Sequence, residues 1–384
     1  MRARTLGLLL WPLWTGADEA LVPLPATELS RLAPLLVHSE MAVLETSPEG
    51  RPRQLLLLAY AAAPPEVTRE VVIHPERYPR FVRNLSKSEV TRQADGSLVS
   101  HWEMKLPIGH FGGAYRLRLE SSGAVDIRSL ARDNHSRWEF LPAIGGGTVI
   151  AEYMHYQAPK QNLILQRLIS RDPANETGMA LATALVLAKS VLAEAQRQAQ
   201  ARGVRTAEPV AAKEPDFHSL LSRGALAIIR STPTGGLRDV SIVKRVRAPL
   251  PRLLELVRSP DRWPSFIRSV TAAKVIERNA QGMVYEMEVD GVILSVQTRY
   301  RMQHLPEGAD SLGIGGDLIG ARMRWDLQRE GEETLVTLRA NHQLGESSFL
   351  LRAMIGYEPL FEHGANVGVS VVATEAIARQ AMGK

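Results

Sequence analysis

The ten histidines of the chain show no His-Glu-x-x-His or other ligand spacing, so they point to no metal centre. Gly145-Gly146-Gly147 and Gly313-Ile314-Gly315-Gly316 lie between strand-like runs and lack the Gly-Lys-Ser/Thr ending of a phosphate-cradling loop. They read as turns. No Gly-x-Ser-x-Gly elbow occurs. The absence of cysteine removes thiolate nucleophiles, cysteine-ligated metals and disulfides. Glu346, in the turn-like run Leu-Gly-Glu-Ser-Ser, reads as a solvated carboxylate. No residue is singled out as catalytic, and no metal or cofactor is implied. What remains are polar side chains on otherwise apolar strand faces: Ser100, Tyr115, Thr298 and Tyr300. In the run 152–156, Glu152, Met154 and Tyr156 share one parity and Tyr153 and His155 the other; which set points inward stays open. Arg116, Arg118, Arg299, Arg301, Arg322 and Arg324 fall on polar faces, which leaves an apolar pocket with few orienting groups.

The elements that would position these groups follow from periodicity. In Leu98–Leu106 the residues Leu98, Ser100, Trp102, Met104 and Leu106 share one face, and His101, Glu103 and Lys105 the other. This period of two is that of a half-buried strand. Tyr115, Leu117 and Leu119 face in between outward arginines. Val292, Leu294, Val296, Thr298, Tyr300 and Met302 line one face of a later strand, and Trp138 and Phe140, then Met323, Trp325 and Leu327, continue the apolar surface. Outward charges suit an antiparallel sheet wetted on one side. The expected cavity lining is Trp102, Met104, Tyr115, Leu117, Trp138 and Phe140, followed by Leu294, Val296, Tyr300, Met323 and Trp325. A register error of one residue would invert that list.

The strongest feature is an internal repeat. PERYPRFVRNL at 75–85 matches PDRWPSFIRSV at 260–270, with Pro79 and Pro264 185 residues apart. Met41 falls on Leu226, Gly50 on Gly235 and Pro64 on Pro249 at the same spacing, and Arg137-Trp138 meets Arg324-Trp325 after a small slip. Each copy reads as a hairpin, a short helix, a Pro-aromatic turn, strands and a long closing helix, about 176–198 and 361–381. Both helices are rich in small residues, which leave space or let the helix pack closer. The boundaries are a first domain over 35–197, a polar Ala/Pro-rich linker over 198–216 and a second domain over 217–383. Residues 1–17, with Arg2 and Arg4 before a short apolar run and a small-residue end, have the order of a secretory signal peptide. That order predicts a periplasmic or secreted protein, with a cytoplasmic one as the alternative.

Lys+Arg 46 against Asp+Glu 41 gives a net charge of +5 with no dense basic block, and the aromatics sit on apolar faces. Nucleic-acid binding is therefore not expected. No stretch reaches the roughly 20 apolar residues of a bilayer span. Apolar runs before each closing helix, at 162–169 and 347–355, hold Arg167 and Arg352, with Arg171 beside the first. They read as short packing helices, or as a gate in peripheral contact with a membrane.

The order of elements resembles the helix-grip fold of the START-like superfamily, which takes in polyketide cyclases and dehydrases, coenzyme-Q-binding proteins and birch-pollen-allergen-like carriers. The residues that carry the resemblance are PERYPRFVRNLSKSEV and PDRWPSFIRSVTAAKVIER, the Arg137–Phe140 and Arg324–Leu327 runs, and the closing helices. It implies an α+β chain of two tandem helix-grip domains, each a curved antiparallel sheet around a long C-terminal helix. The implied function is non-catalytic binding or transfer of a hydrophobic small molecule such as a lipid, quinone or polyketide. The alternative is a polyketide cyclase or dehydrase, and a third reading is a structural module with collapsed cavities. Fold alone does not choose among these.

Overall fold

The computed structural model describes residues 21, 23–47, 52–106, 109–131, 133–156, 174–204, 209, 217–290, 295–347, 352 and 355–383. The 1–17 leader and the 162–169 run lie outside the described residues, as does most of the 347–355 run.

Two short helices, α1 (Ala26–Ser30) and α2 (Ala33–Leu36), precede the first repeat. Its hairpin is β1 (Glu40–Thr46) and β2 (Pro52–Ala61), followed by α3 (Pro65–Val72) and a 3-10 turn at Pro75–Arg80. Strands β3 (Leu85–Arg92), β4 (Leu98–Leu106), β5 (Gly109–Leu119), β6 (Val125–Ser129), β7 (His135–Pro142) and β8 (Thr148–His155) lead to the long helix α4 (Ala174–Ala201). The second repeat runs α5 (His218–Arg223), β9 (Ala225–Ser231), β10 (Leu237–Val246), α6 (Leu250–Val257) and a second 3-10 turn at Pro260–Ser265. It continues with β11 (Val270–Asn279), β12 (Gly282–Asp290), β13 (Ser295–Leu305), β14 (Gly308–Gly316), β15 (Arg322–Glu330), β16 (Glu333–Asn341) and α7 (Leu360–Ala381).

Proline at the start of α3 and α6 sets φ where the backbone N–H has no helical partner. The Pro-aromatic turns then close those helices in the same way. Tyr78 Oη donates to the carbonyl of Val72 at 2.8 Å, and Trp263 Nε1 to that of Leu256 at 2.9 Å. Each long helix packs along its own hairpin, α4 on β2 and α7 on β10. Each half is therefore a helix grip, as expected from the sequence.

The two halves share one antiparallel sheet of sixteen strands, because β1 pairs with β9. The pairing is self-complementary. Ala42 lies opposite Ala227, its own counterpart 185 residues on, and Met41↔Ile228 is mirrored by Val43↔Leu226. The long helices cross in the same sense. A Cβ on Gly178 would lie 2.7 Å from Gly368 Cα, and one on Gly364 would lie 2.3 Å from Ala182 Cβ. The repeat is thus a pseudo-twofold built into one chain, the arrangement of a self-complementary dimer interface. The small-residue stripes serve close helix contact.

This junction changes the expected wetting of the sheet. Charges do line the outer face of the peripheral strands. At the centre, Met41, Val43, Leu56, Leu58, Ala151 and Tyr153 form a second core with Leu29 of α1, Leu36 of α2, Leu32 between them and Leu220 of α5. Strands covered on both faces read as continuous apolar runs, which explains Leu55–Leu58. Leu119, placed inward by alternation, is half exposed because β5 ends there at the turn into β6. Helix α4 over Glu176–Ala201 is long and apolar enough to cross a membrane, contrary to the sequence reading. Here it packs on β2, α3 and α7.

Candidate functional site

The inner face of the first grip is built by β4, β5, β7 and β8 with the Pro75–Arg80 turn. Trp138 on β7 is fully buried and stacks on Phe140, with centroids 6.5 Å apart. Across the strands, Trp138 pairs with Glu152 of β8. Glu152 is 2% exposed, and its Oε2 has no hydrogen-bond partner among the described residues; neither has Trp138 Nε1. Burial pushes the carboxyl up to about 8, while the adjacent Trp138 indole pulls it part way back. No lysine, arginine or histidine among the described residues contributes to that balance.

Two phenols complete the polar set. Tyr115 on β5 is held at about 12 by burial, opposed by the Ser100 hydroxyl. Ser100 is itself fully buried and shares a 3.0 Å hydrogen bond with Ser88 of β3. Tyr78, from the 3-10 turn, is raised first by burial and then by the charges of Tyr115 and Glu152. Leu117, Val125 and Ile150 supply the apolar wall, with Leu181, Ala184 and Leu185 of α4 opposite.

The structure brings together four of the six expected first-grip residues. Trp138 and Leu117 are buried in the shared core, and Tyr115 and Phe140 pack against it half-buried. Trp102 and Met104 are half-buried but lie outside that cluster, further along β4, where Trp102 covers Gly113 of β5. Glu152 is the residue that alternation left open. Both faces of β8 are buried, with Tyr153 accepting a hydrogen bond from the Leu24 amide at 2.9 Å on the far side. Burial parity alone could not choose. The signal that could have done so is the opposition to Trp138.

The second grip has the same plan and a fuller interior. Where Ser100 pairs with Tyr115, Tyr285 pairs with Tyr300, and the two rings stack at 5.4 Å. Trp263 meets Tyr285 edge-on at 5.9 Å. Where Trp138 pairs with Glu152, Trp325 pairs with Leu338. Tyr300, Trp325 and Met323 are buried and Val296 packs on them half-buried, while Leu294 lies outside the described residues. Two aromatics, Trp263 and Tyr285, and a leucine, Leu338, thus stand where the first grip has Tyr78, Ser100 and Glu152.

Two surface grooves, of about 600 and 460 Å³, hold none of the expected cavity-lining residues, although the second reaches Met287 and the inward Thr298. Arg116, Arg118, Asp126 and Arg128 line the first; Lys274, Glu286, Glu288 and Arg299 line the second. Of the buried histidines, His342 packs within the second half and His363 at the junction. His342 Nε2 meets Ser370 Oγ at 3.2 Å and its amide donates to Asn366 Oδ1 at 2.7 Å. His363 Nε2 meets Ser231 Oγ at 3.3 Å, beside the Lys189–Glu40 ion pair. No group of metal-binding side chains occurs among the described residues.

No protein-family model matches the chain, and no curated protein matches it by sequence. Among solved structures, the chain is similar to the di-domain ARO/CYC StfQ of the steffimycin biosynthetic pathway, with 14% identity, 86% of this chain and 99% of that one covered, and a TM-score of 0.31. It is similar to the di-domain ARO/CYC BexL of the BE-7585A pathway at 12% identity, with 84% and 98% covered and a TM-score of 0.30. A START superfamily protein from Mycobacterium smegmatis matches at 15% identity over 35% of this chain and 98% of its own, with a TM-score of 0.27. Likenesses this distant decide nothing about activity, and the fold stands on the strands and helices described above.

Proposed function

We propose that this protein binds a hydrophobic small molecule inside the first helix grip. The observation that carries this reading is the buried carboxyl of Glu152, whose Oε2 has no hydrogen-bond partner among the described residues, beside the aromatic pair Trp138 and Phe140. An apolar enclosure with one or two orienting polar groups is how small-molecule sites are made. A polar group buried without a partner costs about 1–3 kcal/mol, and a bound ligand offsets that cost by hydrogen bonding to it. The test is native mass spectrometry of protein purified from its own host, followed by solvent extraction. A stoichiometric apolar molecule supports the reading; a protein that is empty from its host and takes up no neutral apolar probe contradicts it.

A cyclase or dehydrase is the second reading, and Glu152 is what favours it. A carboxyl held at about 8 carries a proton at neutral pH and can give it to a carbonyl oxygen or take one from an activated carbon. Turnover of an extracted ligand by the native protein but not by Glu152→Gln would move the assignment to an enzyme.

A further inference from the structure

We propose that the first grip selects a neutral ligand with an oxygen acceptor, such as a ketone or ester carbonyl, which receives a hydrogen bond from the protonated carboxyl of Glu152. This inference rests on the binding reading above and goes further by fixing the charge class of the ligand.

The argument is one of charge balance. An ionised carboxylate in an apolar interior must be paired with a cation or neutralised by a proton. The described elements around Glu152 supply no such cation. From β7, Trp138 faces it, while Arg137 and Glu139 lie on the opposite parity and pair with each other. From β2, Leu57 faces it. Tyr78 and Tyr115 are the titratable groups from the 3-10 turn and from β5, and Glu76 stands further out with His74 and Arg77. On α4, Lys189 is engaged by Glu40 and Ser231 at the junction, and Glu194 is held by Arg197. On α3, Glu70 pairs with Arg202. Arg69 of α3 reaches towards Gly123 at the β5–β6 turn, and no described cation figures among the influences on the carboxyl, so the proton does the neutralising.

A protonated carboxyl offers one O–H donor and the acceptor capacity that remains. Its natural complement is a neutral oxygen acceptor. A carboxylate or phosphate ligand would meet no cation here and would lose its hydration. An ammonium ligand would be admitted only by stripping the proton from Glu152. The same residue in the second grip is Leu338, which offers no such donor.

The test uses a matched set of naphthalenes with the full-length protein, followed by tryptophan quenching. The probes are 2-acetylnaphthalene, 2-naphthoate, 2-naphthylmethylammonium and naphthalene itself. At pH 6.5 the ketone is expected to bind at least about tenfold tighter than either ion, the weight of one buried hydrogen bond plus ion desolvation. Its affinity should fall about tenfold per pH unit once Glu152 ionises, and that fall should vanish in Glu152→Gln, whose amide remains a donor. Glu152→Leu should bind ketone and naphthalene alike. Equal binding of naphthoate, tighter binding of the ammonium, a ketone no better than naphthalene, or a pH-independent ketone would each overturn the proposal while leaving hydrophobic binding intact. If none of the four binds, naphthalene included, both readings fall.

Discussion

Glu152 and Leu338 occupy the same place in the two halves, each directly across the sheet from a buried tryptophan, Trp138 in one and Trp325 in the other. The duplication has kept the aromatic wall and changed the group that faces it. One half carries a buried acid, the other an apolar plug.

Stability should depend on pH through that acid. Its folded value, about 8, lies above the ordinary 4.5. The folded state then holds the proton more tightly, so stability falls as pH rises from about 4.5 to 8 and stays low above that. Glu152→Gln removes the slope. It should leave melting near pH 5 little changed and raise stability above pH 8 by roughly 3–5 kcal/mol, read from urea unfolding across that range. An unchanged slope in the variant would show that Glu152 is not the buried acid described here.

Two buried histidines should act in the opposite sense. Burial lowers both His342 and His363 to about 4, with the Lys189 charge adding to the effect at His363. Both are neutral when folded and would prefer a proton when unfolded. Stability is therefore full above about 6.5 and is lost as pH falls towards 4. His342→Gln should flatten that acid limb by roughly 3 kcal/mol, and urea midpoints between pH 7 and 4 would measure it.

The helix crossing tolerates no bulk. Gly178→Val would drive side-chain atoms into the Gly368 backbone, and Gly364→Val into Ala182. Each should cost about 1–3 kcal/mol or more by overpacking. Because α4 belongs to one half and α7 to the other, calorimetry of these variants should also split the single unfolding transition expected of a shared sheet into two.

The repeat, the order of elements and the closing helices were legible because Pro, Gly and Trp recur in step along the chain. The fusion was not. Nothing in the Met41–Thr46 run says that its free edge will pair with the run at 225–231, since an edge strand and a central strand can carry the same apolar residues. The site was half legible. Of the residues that alternation turned inward, Leu117 and Trp138 lie in the shared core and Tyr115 and Phe140 pack against it, while Trp102 and Met104 lie outside the cluster. Alternation failed at Glu152 because β8 is buried on both faces, where a period of two carries no direction.

The most direct measurement is 19F NMR of 5-fluorotryptophan-labelled protein during titration with the neutral probe N-phenyl-1-naphthylamine, with Trp138 and Trp325 assigned by their Phe variants. A ligand seated in the first grip predicts a shift of the Trp138 resonance, saturating at one probe per chain, with Trp325 unmoved. A shift of Trp325 instead, or of neither, would contradict the account.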